Sequence, residues 1–150
     1  MKTRFARNSA ALIVLAGFSL AGPAFAQDKT IDGAVFPLPP QLRAGATVVR
    51  LNAALEPEVV RAGTNGMTCI ADYPKDDELD VRCYRDSFIP VVYRRFQLNS
   101  EEKFNAELQS GKLALSREPT AGYRCSGPIA GYDAARNTID ARVECWESLH

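Results

Sequence analysis

The chain has 150 residues, with 18 basic and 18 acidic side chains and a formal net charge of zero. Three of the basic residues fall within the first 26, so loss of that segment would leave a net charge of about −3. The remaining charges are interspersed, whereas binding to nucleic acid or to anionic membranes relies on clustered Lys and Arg. We therefore expect no nucleic-acid partner, and no motif in the chain indicates a cofactor.

Residues 1–26 have the three parts of a secretory signal peptide. A positive start precedes an uncharged apolar run, and Ala24 and Ala26 are small residues where a signal peptidase reads. The apolar run has about a dozen residues, fewer than the roughly 20 of a membrane-spanning helix. We expect cleavage between Ala26 and Gln27, a periplasmic or secreted mature protein, and no membrane insertion after cleavage.

Residues 27–45 contain Pro37, Pro39 and Pro40 and are predicted to form an extended arm, whose apolar residues can dock on the following domain. A single domain is expected over residues 46–150.

Residues 46–52 have strand composition, and two further short strands are predicted at 58–62 and 67–71. Between these two lies Gly63-Thr64-Asn65-Gly66, and Asn-Gly favours a tight hairpin turn. The polar segment 72–80 follows. It is expected to be a solvated loop rather than a calcium site, because it lacks the spacing of an EF-hand.

The period of the apolar residues changes in the middle of the chain. Apolar residues recur every four positions from Phe88 to Phe96, which predicts one face of a helix. Asn99 and Glu102 resemble a capping box that starts a second helix, which is expected to end near Gly111.

The last third predicts a disulfide-linked hairpin. Apolar and polar residues alternate over 139–146, the pattern of a strand with one buried face, and residues 123–129 are its natural partner. If Cys125 bonds Cys145 across an antiparallel pair, the turn is centred at residue 135. That position lies inside a segment, 133–137, whose composition independently indicates a loop.

The four cysteines, in an oxidising compartment, indicate two disulfides with three possible connectivities. Metal binding is disfavoured because the chain has no Cys-x-x-Cys and its one histidine is His150. With Cys125 bonded to Cys145, elimination pairs Cys69 with Cys83. The order of elements predicts an α+β fold, in which two helices pack on one face of a small antiparallel sheet.

Residues 61–69, with the sequence Arg-Ala-Gly-Thr-Asn-Gly-Met-Thr-Cys, resemble a group of small, functionally uncharacterised secreted bacterial proteins. That group carries Asn-Gly, an aromatic residue, a polar residue and Cys, and a second Cys after a loop that contains Pro and Asp. Residues 74–83 and the strand at 122–124 match the later parts of the pattern, and Met67 stands where the group usually has Trp. The resemblance implies an exported domain, supports the Cys69–Cys83 pairing and implies no activity.

Trp146 is the centre of a candidate binding surface. It is out of phase with the buried residues of its strand and is predicted to point outward, near Arg124, Arg142 and Tyr123. Aromatic and Arg side chains often anchor interfaces, so these four residues form a candidate platform. The alternative is that helices cover this face and that Trp146 belongs to the core.

The chain offers no histidine suited to act as a catalytic base, because its one histidine is the last residue. We therefore predict a non-enzymatic binding or inhibitor module, whose partner is an envelope or extracellular protein or a small ligand. One alternative is a small hydrolase that acts on cell-envelope glycans through two carboxylates. Another is a structural protein with no discrete ligand.

Overall fold

The computed structural model describes residues 29–71, 77–115 and 119–149, and the predicted signal peptide lies outside them. The helices of this part of the chain are α1 (Lys29–Ala34), α2 (Pro40–Arg43), α3 (Ile89–Leu98) and α4 (Glu101–Gln109). Its strands are β1 (Thr47–Leu51), β2 (Pro57–Arg61), β3 (Met67–Ile70), β4 (Glu78–Arg85), β5 (Ala121–Pro128), β6 (Tyr132–Asp133), β7 (Thr138–Ile139) and β8 (Glu144–Leu149). None of these helices has the length and hydropathy of a membrane span.

Six strands form one sheet in the order β2-β1-β3-β4-β5-β8, and β6 and β7 form a separate two-stranded ribbon. β1 is parallel to β3, whereas the other neighbours in the large sheet are antiparallel. The fold is therefore α+β, as predicted. The prediction of a small antiparallel sheet was wrong, because the sheet is larger and mixed.

The hairpin predicted around Asn65 is also absent, although both of its strands exist. β2 and β3 each pair with β1, which lies between them. The Asn65 side-chain amide donates to the carbonyl of Leu42 (2.7 Å), and the Gly63 N–H donates to Oγ1 of Thr47 (3.0 Å). A Cβ on Gly63 would lie 2.2 Å from the backbone nitrogen of Thr47, so only glycine fits where the segment crosses the start of β1.

The segment predicted as an extended arm instead forms α1 and α2 from residue 29 onward. Pro40 lies in the first turn of α2, where the missing N–H is not needed, so the prolines delimit short helices rather than extend the chain. The predicted docking of apolar residues does occur. Ala34, Val35 and Leu38 are buried in one cluster with Val48.

Helices pack on both faces of the sheet, not on one as predicted. Consecutive strand residues point to opposite faces, and in β3 Cys69 belongs to the cluster with α1 while Ile70 belongs to the cluster with α3. We call these the α1 face and the α3 face. The α1 face continues over β4 and β5 into a second cluster with Leu79, Val81, Cys125 and Val143.

Both predicted disulfides are present, Cys69–Cys83 between β3 and β4 and Cys125–Cys145 between β5 and β8. Each links residues that are directly opposite in the ladder. The first three of these cysteines are fully buried, whereas Cys145 lies exposed on the last strand.

The predicted strand over 139–146 is interrupted. β7 ends at Ile139, and a turn follows in which the Val143 N–H donates to the carbonyl of Asp140 (3.1 Å). The loop predicted at 133–137 does connect β6 to β7.

The two central helices begin and end close to the predicted positions. Pro90 lies in the first turn of α3. The N-cap of α4 is Ser100, whose hydroxyl accepts from the Lys103 N–H (3.3 Å), rather than the predicted Asn99. Asn99 instead ends α3 with a left-handed backbone (φ 43°), and Gly111 (φ 71°) follows the end of α4.

Candidate functional site

Two arginines face each other on the α3 face of neighbouring strands, Arg82 of β4 and Arg124 of β5. The carboxylate of Asp80 binds both guanidinium groups. Arg124 donates from Nε to Oδ1 (2.7 Å) and from Nη2 to Oδ2 (2.8 Å), and Arg82 donates from Nε to Oδ1 (2.9 Å) and from Nη2 to Oδ2. One negative charge thus holds two positive charges in fixed positions.

An aromatic ring covers each end of this ion cluster. The Arg82 guanidinium lies 5.3 Å from the centre of the Phe96 ring, and the Arg124 guanidinium lies 5.1 Å from that of Trp146. Both distances suit cation–π attraction. The resulting row, which we call the arginine ladder, runs across the sheet from α3 to β8 and consists of Phe96, Arg82, Asp80, Arg124 and Trp146.

Arg95 of α3 adds a third guanidinium beside the arginine ladder. It stacks over the ring of Phe104 at 5.2 Å and donates from Nη2 to Oε2 of Glu101 (2.6 Å). A groove of about 450 Å³ separates α3 and α4 from the sheet at this point. We call it the arginine groove, and its lining residues are Arg82, Tyr84, Phe88, Val91, Val92, Arg95, Phe96, Phe104 and Arg124.

Asp80 and Arg82 hold each other in their charged forms. Burial alone would raise the pKa of Asp80, but the hydrogen bonds and charges of Arg82 and Arg124 outweigh it and lower that pKa below the usual range. The hydrogen bonds to Asp80 correspondingly raise the pKa of Arg82. The three Arg side chains around the groove, set against Asp80 and Glu101, leave a net positive charge.

The helical wall of the groove is held by a further ion cluster. Glu107 of α4 accepts from Nε of Arg94 in α3 (2.7 Å) and from Nζ of Lys112 (2.9 Å). These hydrogen bonds, that of Arg94 above all, lower the pKa of Glu107 to about 2. The cluster ties α4 to α3 and so fixes the position of Phe104.

The structure brings together two of the four predicted site residues, Trp146 and Arg124. Trp146 is 42% exposed, so helices do not cover it. Tyr123 lies on the opposite, α1 face, at the border of the buried cluster. Arg142 lies in the turn before β8, where its Nη2 donates to Asp140 (2.6 Å) and to the carbonyl of Ala130 (2.8 Å).

Sequence reasoning missed Asp80 and Arg82 as residues of the candidate site. The predicted loop over the polar segment 72–80 includes Asp80, although residues 79–84 alternate apolar and polar as a half-buried strand does. That alternation would have placed Asp80 and Arg82 on one outer face. Residues 72–76 of the predicted loop lie outside the described residues. Where the structure describes the chain, no cluster of His, Cys, Asp or Glu is suited to hold a metal ion.

No protein-family model, curated protein or solved structure matches this chain. The function is therefore inferred from the chemistry of the arginine ladder and groove.

Proposed function

We propose that this protein is an exported, non-enzymatic binding or inhibitor module, which uses the arginine groove and Trp146 to bind an acidic group of an envelope or extracellular protein or of a small ligand. The observation that carries the proposal is the fixed pair of guanidinium groups, stacked between two aromatic rings beside the arginine groove. The predicted signal peptide supports export. The two disulfides fit an oxidising compartment.

The chemistry of the arginine ladder suits a carboxylate or phosphate. A guanidinium is planar and donates two parallel hydrogen bonds to such groups. Asp80 uses Nε and Nη2 of Arg124, which leaves Nη1 for a ligand. Because Asp80 and Trp146 already hold the guanidinium, a ligand meets an ordered donor and loses less affinity to side-chain ordering.

The carboxyl groups of Asp80, Glu107 and Asp140 do not suit the hydrolase alternative. A glycoside hydrolase needs one carboxylic acid with a raised pKa. Asp80, Glu107 and Asp140 instead have lowered pKa values, because each is bound to at least one arginine.

The proposal can be tested through Trp146, since it is the one tryptophan in the chain. Titration with a hexaglutamate peptide should change the fluorescence of Trp146, and a hexaglutamine peptide should not. Binding should weaken as salt is added, because charges near the surface are screened.

Arg124→Gln should weaken binding of hexaglutamate about tenfold, the effect of losing roughly 1.4 kcal/mol. The matched control is Arg136→Gln, which removes an 82% exposed arginine of the β6–β7 turn and should leave binding unchanged. Equal binding by the two variants, or equal binding of the two peptides, would contradict the proposal.

A further inference from the structure

The last strand, β8, is an open edge of the sheet. It pairs with β5 on one side, and no strand of the described chain pairs with it on the other. The opposite edge strand, β2, begins with Pro57, and its pairing with β1 contains an irregularity between Val48 and Val49. Proline and bulges are features that protect an edge from further pairing. β8 contains no proline, and its register with β5 is continuous.

The register shows which backbone groups of β8 point outward. The Cα atoms of Cys125 and Cys145 are 4.1 Å apart, the short spacing of a pair that exchanges no backbone hydrogen bonds. The N–H and C=O of Cys145 therefore point away from β5. The alternation of an antiparallel ladder then directs those of Glu147 and Leu149 outward as well, and the disulfide holds this edge against β5.

We propose that β8 accepts an extended segment of a partner protein as a seventh strand, paired through the outward backbone groups of Cys145, Glu147 and Leu149. This inference goes beyond the arginine groove and names a second contact surface. Strand addition of this kind gains its affinity from main-chain hydrogen bonds.

The charges of β8 favour a basic segment as its occupant. The ionisable side chains of the strand are Glu144, on the α3 face, and Glu147, on the α1 face. A second copy of β8 would bring the same carboxylates and no basic side chain, and like charges placed opposite each other destabilise a strand pair. A segment with lysine or arginine beside Glu144 or Glu147 would instead form favourable cross-strand pairs. Trp146 lies between them and joins this edge to the arginine ladder.

The test uses an eight-residue peptide of alternating lysine and threonine, capped at both ends, and NMR of the full mature chain. Added peptide should shift the amide signals of Cys145, Glu147 and Leu149 and slow their hydrogen exchange at least tenfold. Shifts confined to the arginine groove, or no shift at millimolar peptide, would overturn the inference. The same protection without peptide, with a doubled native mass, would mean that a second copy is the occupant and would also overturn it.

Two variants at one position isolate the backbone contact. Glu147→Ala keeps the outward N–H but removes the carboxylate, and should weaken peptide binding two- to fivefold. Glu147→Pro also removes the N–H and should weaken binding at least tenfold more, while the ladder with β5 stays intact. If Glu147→Pro unfolds the sheet, its N–H points inward and the inference is wrong.

The two proposals fail separately. Equal binding of hexaglutamate and hexaglutamine, with strand addition at β8 still observed, would contradict the proposed function alone. Unchanged peptide binding by Glu147→Pro, with hexaglutamate still sensitive to Arg124, would contradict the edge alone.

Discussion

Where β4 and β5 pair, the two faces of the sheet differ in how far water reaches them. On the α1 face, Val81 and Cys125 are at most 1% exposed. On the α3 face of the same central strands, the side chains of Asp80 and Arg124 are 29% and 34% exposed. Because neighbouring residues of a strand point to opposite faces, one stretch of sequence builds both a sealed core and a charged surface.

This difference in exposure predicts that substitutions on one face change stability and that substitutions on the other change binding. Full burial of an apolar side chain contributes about 1.5 to 3 kcal/mol, whereas an exposed ion pair contributes about 1 kcal/mol or less. Substitutions on the α1 face should therefore lower the free energy of unfolding most. Those at the outer end of the arginine ladder should change binding with little effect on stability.

The largest loss of stability is expected from Leu38→Ala, because Leu38, between α1 and α2, is only 1% exposed. Its loss should lower the free energy of unfolding by about 2 to 5 kcal/mol, measured by urea denaturation. The control is Val59→Ala on β2, where the side chain is 65% exposed and a change within about 0.5 kcal/mol is expected. Equal effects of the two changes would show that the segment that carries α1 and α2 is not part of the core.

Removal of either disulfide should lower stability by about 3 kcal/mol in the chain-entropy model, since their sequence separations, 14 and 20, are similar. The double variant Cys69→Ala, Cys83→Ala should lose more stability than Cys125→Ala, Cys145→Ala. Cys69 and Cys83 are both buried, whereas Cys145 is exposed. Thermal unfolding of the two double variants gives the comparison. Under reducing conditions, Cys145→Ala alone should be almost as stable as the parent chain. If the variant loses the same stability under oxidising and reducing conditions, the loss comes from packing and not from the disulfide.

Asp80→Asn should lower stability by about 1 to 2 kcal/mol, because two adjacent guanidinium groups lose their shared carboxylate in a partly exposed site. The matched control, Asp133→Asn, weakens an exposed pair with Arg136 and should change stability by about 0.5 kcal/mol or less. Chemical denaturation at neutral pH measures both. No loss in Asp80→Asn would mean that the ladder does not depend on this carboxylate.

Glu107 should make stability depend on acidity. Its folded pKa of about 2 lies below the ordinary value of 4.5, so its contribution is fully present above pH 4.5 and is lost as the pH falls towards 2. Glu107→Gln should be less stable than the parent chain at pH 7, and the difference should shrink across that window. A difference that stays constant between pH 5 and 2 would contradict the assignment.

The smallest effect on stability is expected from Trp146→Ala. The ring is 42% exposed on the edge strand, so the free energy of unfolding should change by about 1 kcal/mol or less. Hexaglutamate binding, followed by calorimetry because the fluorophore is gone, should nevertheless weaken severalfold. If stability falls more than binding does, Trp146 serves the core.

Several structural features followed from local sequence patterns. The Cys125–Cys145 pairing came from the spacing of two cysteines around a loop, and Pro90 and Gly111 marked a helix start and a helix end. The helix start and end depend on neighbours in the chain, and the disulfide depends on one hairpin-like segment of about 20 residues. The α+β class and both disulfides could therefore be predicted.

The candidate site could be predicted only in part. The alternation around Trp146 indicated an outward ring, and Arg124 was correctly associated with it. Arg82 joins them because β4 lies beside β5, and Phe96 because α3 crosses that face. The sequence alone shows neither arrangement, since both depend on contacts between distant segments.

The sequence by itself predicted an export signal, both disulfide pairs, the start of α3, the end of α4 and several strands. The tertiary structure decided that β1 lies between β2 and β3, that helices cover both faces, and that Asp80 bridges two arginines. The physical reason is that Val48 and Val49 bury their side chains on opposite faces of β1. Such a strand needs neighbours on both sides and cover on both faces, and only the folded chain shows which segments supply them.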